Sequence, residues 1–151
     1  MNLKPIDSAS IPFAFECIKA LRGDAEYGYE AFSAYIERNF LKAQGSDHTM
    51  LIASKESIPM GILTCNRFLM PRYLGFGYEL EEVIVDKNHK NRGYGTEMIH
   101  AFFEYVKEQS DYSELRKIIV KTNDKVIAFK LYQKLFDETE NTVYAQRINN
   151  L

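Results

Sequence analysis

The sequence predicts a mixed α/β domain, and three observations carry that prediction. Apolar residues recur at helical spacing in the N-terminal third, switch to strand-like runs in the middle, then alternate between helix and strand patterns to the end. A strand-like run ending in "EEVIV" leads into a basic stretch with paired glycines, "KNRGYGTEM", Lys90 to Met98, and then into a helix-forming segment. With 46% apolar and 13% aromatic residues, the 151 residues can fill one core, and no repeat, low-complexity tract or Pro/Gly/Ser-rich linker offers a place to divide them. Residues 1–151 are therefore expected to form a single domain.

The elements follow in order. A short strand over Leu3–Ile6 leads through Asp7, Ser8 and Ser10, all helix-capping types, to a helix over Ile11–Leu21 that aligns Phe13, Cys17, Ile18 and Leu21. The tripeptide "RGD" ends it. A second helix, Tyr29–Leu41, sets Phe32, Tyr35, Ile36 and Phe40 on one stripe. The runs "TMLIAS" and "MGILTCNRFLM" read as strands joined into a hairpin by "KESIP". After a loop from Met70 to Gly77 come a strand over Tyr78–Val85 and a helix over Thr96–Gln109, with Met98, Ile99, Phe102, Phe103 and Val106 inward. Arg116–Thr122 is a short buried strand, Asp124 caps a helix over Val126–Leu135, and "NTVYAQRI" supplies a late strand. The order is β-αα-βββ-αβ-αβ.

Composition excludes several functions. A net charge of −2 and a pI near 5.9 leave no concentrated basic face of the kind nucleic-acid binding requires. No apolar run approaches the roughly 20 residues of a membrane span, and "MNLKPIDSAS" lacks the pattern of a secretory signal, so a soluble cytoplasmic protein with no membrane partner is expected. Cys17 and Cys65 lie in apolar segments without metal-like spacing and read as buried free thiols. His48, His89 and His100 are scattered, so no metal is assigned, and no Ser-His-Asp or acyl-cysteine set is evident.

The glycine stretch carries the most chemistry. A helix N-terminus offers unpaired amides and about half a positive charge, and glycines let an anion such as a pyrophosphate come close. A glycine pair of this kind also ends strands and starts helices in domains without ligands. The dinucleotide fingerprint fails because position 98 is Met, and the nucleoside-triphosphate loop fails because no Gly-Lys-Ser/Thr follows. The stretch "EEVIVDKNHKNRGYGTEMI" resembles instead the central motif of the GNAT superfamily of N-acetyltransferases, whose loop Gln/Arg-x-x-Gly-x-Gly/Ala is matched by Lys90, Asn91, Arg92, Gly93, Tyr94 and Gly95. Lys90 departs from the pattern but keeps a long polar side chain. Downstream, "AFKLYQKLF" is similar to the family's next helix.

The resemblance spans nearly the whole chain and implies a central, twisted, mostly antiparallel sheet with splayed central strands, flanked by helices. It implies acetyl-CoA as cosubstrate, held by backbone at Val83, Ile84 and Val85 and by the loop Lys90 to Thr96. It puts Tyr132 beside the thioester sulfur. The family's Asn, seven residues before that Tyr, is Lys125 here, and its Gly-Phe is Phe136 and Asp137, so Asn123 is the candidate for the amide contact. Oligomeric state is not readable; the family is often dimeric, and a homodimer is compatible with the resemblance.

Amine attack on a thioester needs a base, because an alkyl ammonium with a pKa of about 10.4 is almost fully protonated at neutral pH. Strand alternation sets Glu79 and Glu81 on one face and Glu82 on the other. The resemblance implies Glu81 first and Glu79 second as the base, leaving Glu82 a solvated or structural carboxylate; a merely charged strand edge is the alternative. Aromatics and acids in Asn66–Tyr78 (Phe68, Tyr73, Phe76, Tyr78) and in "RGDAEYGYE" (Asp24, Glu26, Tyr27, Tyr29, Glu30) suit a small cationic amine. A protein lysine or N-terminus is the close variant, and a non-catalytic acyl-CoA sensor is the reading from another class.

Overall fold

The computed structural model describes residues 1–22, 27–42, 47–120, 132, 135 and 136. It comprises two compact units, Met1–Lys121 and Thr122–Leu151. The first holds β1 (Asn2–Pro5), α1 (Ile11–Arg22), α2 (Tyr29–Ile36), β2 (His48–Lys55), β3 (Ile58–Met70), β4 (Gly75–Val85), α3 (Tyr94–Lys107) and β5 (Leu115–Val120). The strands form one sheet in sequence order. All neighbours pair antiparallel except β4 and β5, which run parallel. The mixed α/β class with a mostly antiparallel sheet is as expected.

Period-2 patterning sends alternate strand residues to two covered faces. Met50, Ile52, Ile62 and Ile84 join Ile11, Ala14, Cys17, Phe32 and Ile36 in one core beneath α1 and α2. Their neighbours Leu51, Ala53, Leu63 and Cys65 are also buried, and α3 buries Met98, Ile99, Phe102 and Val106. Each fully buried side chain of this size contributes about 1.5–3 kcal/mol. Gly61 allows α3 to sit close, since a Cβ there would come 2.9 Å from the Met98 sulfur. Asp7 starts the path into α1 as the sequence suggested, its carboxylate accepting from the Ser10 amide (2.9 Å) and hydroxyl (2.6 Å).

Several boundaries differ from expectation. The β2–β3 turn is only Glu56 and Ser57, both at positive φ (51° and 67°), so Ile58 and Pro59 already belong to β3. Because neither turn residue is Gly or Asn, the usual signal for such a tight hairpin turn is missing. β4 begins at Gly75 rather than Tyr78, since Pro71–Tyr73 form one 3₁₀ turn closed by Leu74 at φ 47°. The second helix ends as an α-helix at Ile36 and continues as a π turn over Glu37–Leu41. Phe103, expected inward, is only half-buried.

In the second unit, the Leu135 and Phe136 amides donate to the Tyr132 carbonyl at 3.1 and 2.9 Å, and the Tyr132 ring meets Phe136 edge-on at 6.0 Å. The remainder of the expected Val126–Leu135 helix, the late strand, Asn123, Asp124, Lys125 and Asp137 lie outside the described residues, as do Asp24 and Glu26.

Candidate active site

The β3–β4 ladder is regular from Gly61↔Val85 to Thr64↔Glu82, then jumps to Cys65↔Leu80 and Asn66↔Glu79. Glu81 is the extra residue of a β-bulge, a device that re-aims side chains next to functional sites. This corrects the expected alternation. Glu79 and Glu82 stand opposite Asn66 and Thr64, two positions on one face of β3, so Glu82 does not turn away from its acidic neighbours.

Glu81 and Glu82 both line a cavity of about 740 Å³ between the sheet and α2, a size typical of small-molecule sites. Its sheet side is polar, with His48, Thr64, Asn66 and the two glutamates around Met50. Its other wall is mostly apolar, with Ile18, Tyr27, Phe32, Tyr35, Ile36 and Phe40 relieved by Asn39. Tyr27 stacks on Phe32 with centroids 6.5 Å apart, and Tyr35 tilts against Phe40 at 6.3 Å. Glu79 is not among the lining residues.

One side chain fixes the carboxylate. Asn66 Nδ2 donates to Glu81 Oε1 at 2.9 Å, and Asn66 Oδ1 lies 2.5 Å from His48 Nδ1. A carboxylate only accepts, so the amide nitrogen must face Glu81 and the amide oxygen His48. His48 Nδ1 is then the protonated ring nitrogen. Sequence reasoning missed Asn66 and left His48 without a role; a lone amide inside the apolar run of β3 was the available signal.

Not every expected contact forms. Tyr78 packs edge-on against Phe102 of α3 at 5.8 Å, and Phe76 is buried beside it, so both serve the opposite face of the sheet. Burial pushes the Tyr78 hydroxyl up to about 12, with Cys65, Asp111 and Tyr105 adding to it. Tyr73 lies exposed at the β3–β4 connection, and Tyr29 packs on Phe15 at 5.5 Å. Of the aromatics proposed for the acceptor, Tyr27 alone lines the cavity.

Downstream of β4, Asp86 caps the turn Lys87–His89 by accepting from the Asn88 amide at 3.0 Å. Asn91 (φ 61°) and Gly93 (φ 80°) are left-handed, and Gly93 is the N-cap of α3, its carbonyl accepting from Glu97 at 3.2 Å. The amides of Gly93, Tyr94, Gly95 and Thr96 precede the first intrahelical bond. A Cβ on Gly93 would meet no atom within 4 Å, so the approach to these donors is open. Lys87, Lys90 and Arg92 are exposed, and no carboxylate intervenes before Glu97, which is held by Lys55 at 3.2 Å. Left-handed turn, orphan amides and exposed cations fit a pyrophosphate-bearing ligand. Among the described residues, β4–β5 pairing ends at Leu80↔Val120, so Glu81, Glu82, Val83, Ile84 and Val85 have no residue paired to them from β5.

Among the described residues, no three His, Cys, Asp or Glu side chains cluster as metal ligands, and no helix is long and apolar enough to cross a membrane.

Residues 15–137 match the family model described as the acetyltransferase (GNAT) family. Among curated proteins none matches. Solved structures share the fold at low identity. A ribosomal-protein-alanine N-acetyltransferase from Brucella melitensis biovar Abortus 2308 is 15% identical with a TM-score of 0.73, over 98% of this chain and 100% of that one. Glucosamine-6-phosphate N-acetyltransferase from Arabidopsis thaliana is 14% identical with a TM-score of 0.69, over 99% and 98%. An aminoglycoside 6'-N-acetyltransferase from Acinetobacter haemolyticus is 18% identical with a TM-score of 0.68, over 99% and 100%. The names of these three proteins carry different acceptors on one architecture, so the shared fold does not identify an acceptor.

Proposed function

Because the chain belongs to the acetyltransferase (GNAT) family and is an acyltransferase, we propose that it moves an acetyl group from acetyl-CoA to a primary amine, a small cationic one, in a ternary complex. The observation that carries this reading is the Glu81 carboxylate, held by Asn66 on the wall of a cavity the size of a small molecule. We take residues 1–151 to act as one N-acetyltransferase domain working in the cytoplasm.

Acetyl-CoA, when bound, supplies an activated acyl thioester. The chain's own residues do the rest. The loop Lys90, Asn91, Arg92, Gly93, Tyr94, Gly95 and Thr96 offers amides and positive charge to the pyrophosphate, and backbone groups at Val83, Ile84 and Val85 serve the pantetheine arm and the developing oxyanion. Asn123 is the proposed amide contact. Glu81 pairs with the incoming ammonium and accepts its proton, directly or through water, freeing the nitrogen lone pair for attack. Glu79 is the second candidate for that role. Tyr132 hydrogen-bonds the departing sulfur and gives it a proton, so coenzyme A leaves as the thiol, and the second proton shed by the acetylated nitrogen restores the tyrosine hydroxyl by way of water.

The test is thiol release from acetyl-CoA across a panel of small amines, lysine-containing peptides and free N-terminal peptides. Release with small amines supports the reading, and release only with peptides moves the acceptor to proteins. Tight acetyl-CoA binding with no release from any acceptor would leave a non-catalytic acyl-CoA sensor.

A further inference from the structure

We infer that the acceptor is a monoamine with an apolar body, an alkyl or arylalkyl chain, rather than a polyamine, a phosphorylated amino sugar or another highly polar amine. The inference rests on the acetyl-transfer reading and adds the substrate class. Its basis is the division of the cavity into two chemically unlike walls.

The sheet wall can hold one ammonium well. Glu81 and Glu82 are adjacent in sequence, and the bulge turns both into the cavity, so a single cation there meets two carboxylates. Among the described residues, the facing wall offers no carboxylate. Among the described residues this wall is made by Ile18, Tyr27, Phe32, Tyr35, Ile36 and Phe40, and Asn39 is its polar side chain apart from the tyrosine hydroxyls. A second ammonium pushed against this wall would lose its water without gaining a carboxylate. A hydroxyl-rich sugar would find few partners on that wall, Asn39 and the hydroxyls of Tyr27 and Tyr35 among the described residues.

Phosphate is disfavoured more strongly. Among the described residues that line the cavity there is no Lys or Arg, and the two glutamates would repel an anion. A hydrocarbon or aromatic body instead gains at each step, since every methylene moved from water onto this wall should tighten binding roughly fourfold. Paired rings, Tyr27 on Phe32 and Tyr35 on Phe40, give an aromatic body offset and edge-on partners.

The experiment uses the full chain and a graded series: propylamine, butylamine, pentylamine, hexylamine and phenethylamine, with spermidine, glucosamine 6-phosphate and a lysine-containing peptide as contrasts. Binding is read by calorimetry, and turnover by thiol release from acetyl-CoA. The expected result is a rise of roughly threefold to fourfold in affinity and kcat/KM per methylene, with hexylamine or phenethylamine at least tenfold above each contrast. Tyr35→Ala, at a position 52% exposed and so tolerant of truncation, should flatten the chain-length slope. A flat series, or a contrast compound preferred by tenfold, overturns the substrate class. Length-dependent binding without thiol release keeps the class and overturns acetyl transfer, whereas thiol release with a flat series does the reverse. Neither binding nor release overturns both.

Discussion

Replacing Glu81 by Gln tests the site with the least collateral change. The variant keeps the shape and one carbonyl oxygen, so Asn66 Nδ2 retains an acceptor where it now reaches Glu81 Oε1 at 2.9 Å. Glu81 is exposed, and the exchange of a charge-assisted hydrogen bond for a neutral one should cost no more than about 1 kcal/mol, a melting-temperature shift of a few degrees. Loss of the proposed base is another matter. General-base catalysis is worth about 10²- to 10⁴-fold, so kcat/KM at neutral pH should fall by that factor. An amine of pKa about 10.4 is neutral in only about one molecule in a thousand near pH 7.4, and that fraction grows tenfold per pH unit. The variant should therefore recover rate with a slope of one in log kcat/KM against pH, while acetyl-CoA affinity stays level. The assay is thiol release against pH for wild type, Glu81→Gln, Glu79→Gln and Glu82→Gln, with calorimetry for the cosubstrate. Wild-type rate and pH profile in folded Glu81→Gln would refute the reasoning. A comparable loss in Glu82→Gln alone would move the base one residue along the bulge.

Gly93→Val should weaken acetyl-CoA binding by roughly tenfold or more and cost about 1–3 kcal/mol through its left-handed backbone; Gly93→Asn, which tolerates φ near 80°, should separate the two effects in calorimetry and melting. Tyr132→Phe keeps the ring, so a leaving-group role predicts kcat and kcat/KM falling together by about 10²-fold with cosubstrate affinity intact; near-normal kcat would end that role. Burial raises the thiols of Cys17 and Cys65 from 9.0 to about 12, so both should be silent to a thiol reagent at pH 8 until the chain unfolds. Because these folded values exceed the unfolded ones, the stability they carry is complete below about pH 9 and drains as pH rises toward 12, which alkaline melting curves should register.

Much of the fold was legible because it rests on period and punctuation. The short apolar runs "MLIAS" and "GILTC", the helical stripe of Met98, Ile99, Phe102 and Val106, and the glycine at the head of α3 all point the same way. What stayed hidden depends on pairing between distant segments. No residue of "ELEEV" announces a bulge, since it arises only from how β4 registers on β3 between Thr64 and Cys65. Reading Glu82 as facing away followed from regular alternation, and Asn66 gains meaning only when Glu81 and His48 arrive beside it. The cavity's aromatic wall was visible as a stripe on the second helix, but its inward residues were indistinguishable from core.

The bulge at Glu81 has a consequence for how this enzyme could diversify. On an unbroken strand, side chains of one face stand about 6.6 Å apart, so two acids can share a face only with a residue between them. One surplus residue lifts that spacing rule locally while Leu80 keeps Cys65 as its partner and Glu82 keeps Thr64. Deleting position 81 alone would thus return a smooth ladder, with the sheet, the left-handed loop and α3 in register. The carboxylate proposed to act at this spot is in effect a one-residue insert, gained or shed by a single codon without redrawing the scaffold that carries it.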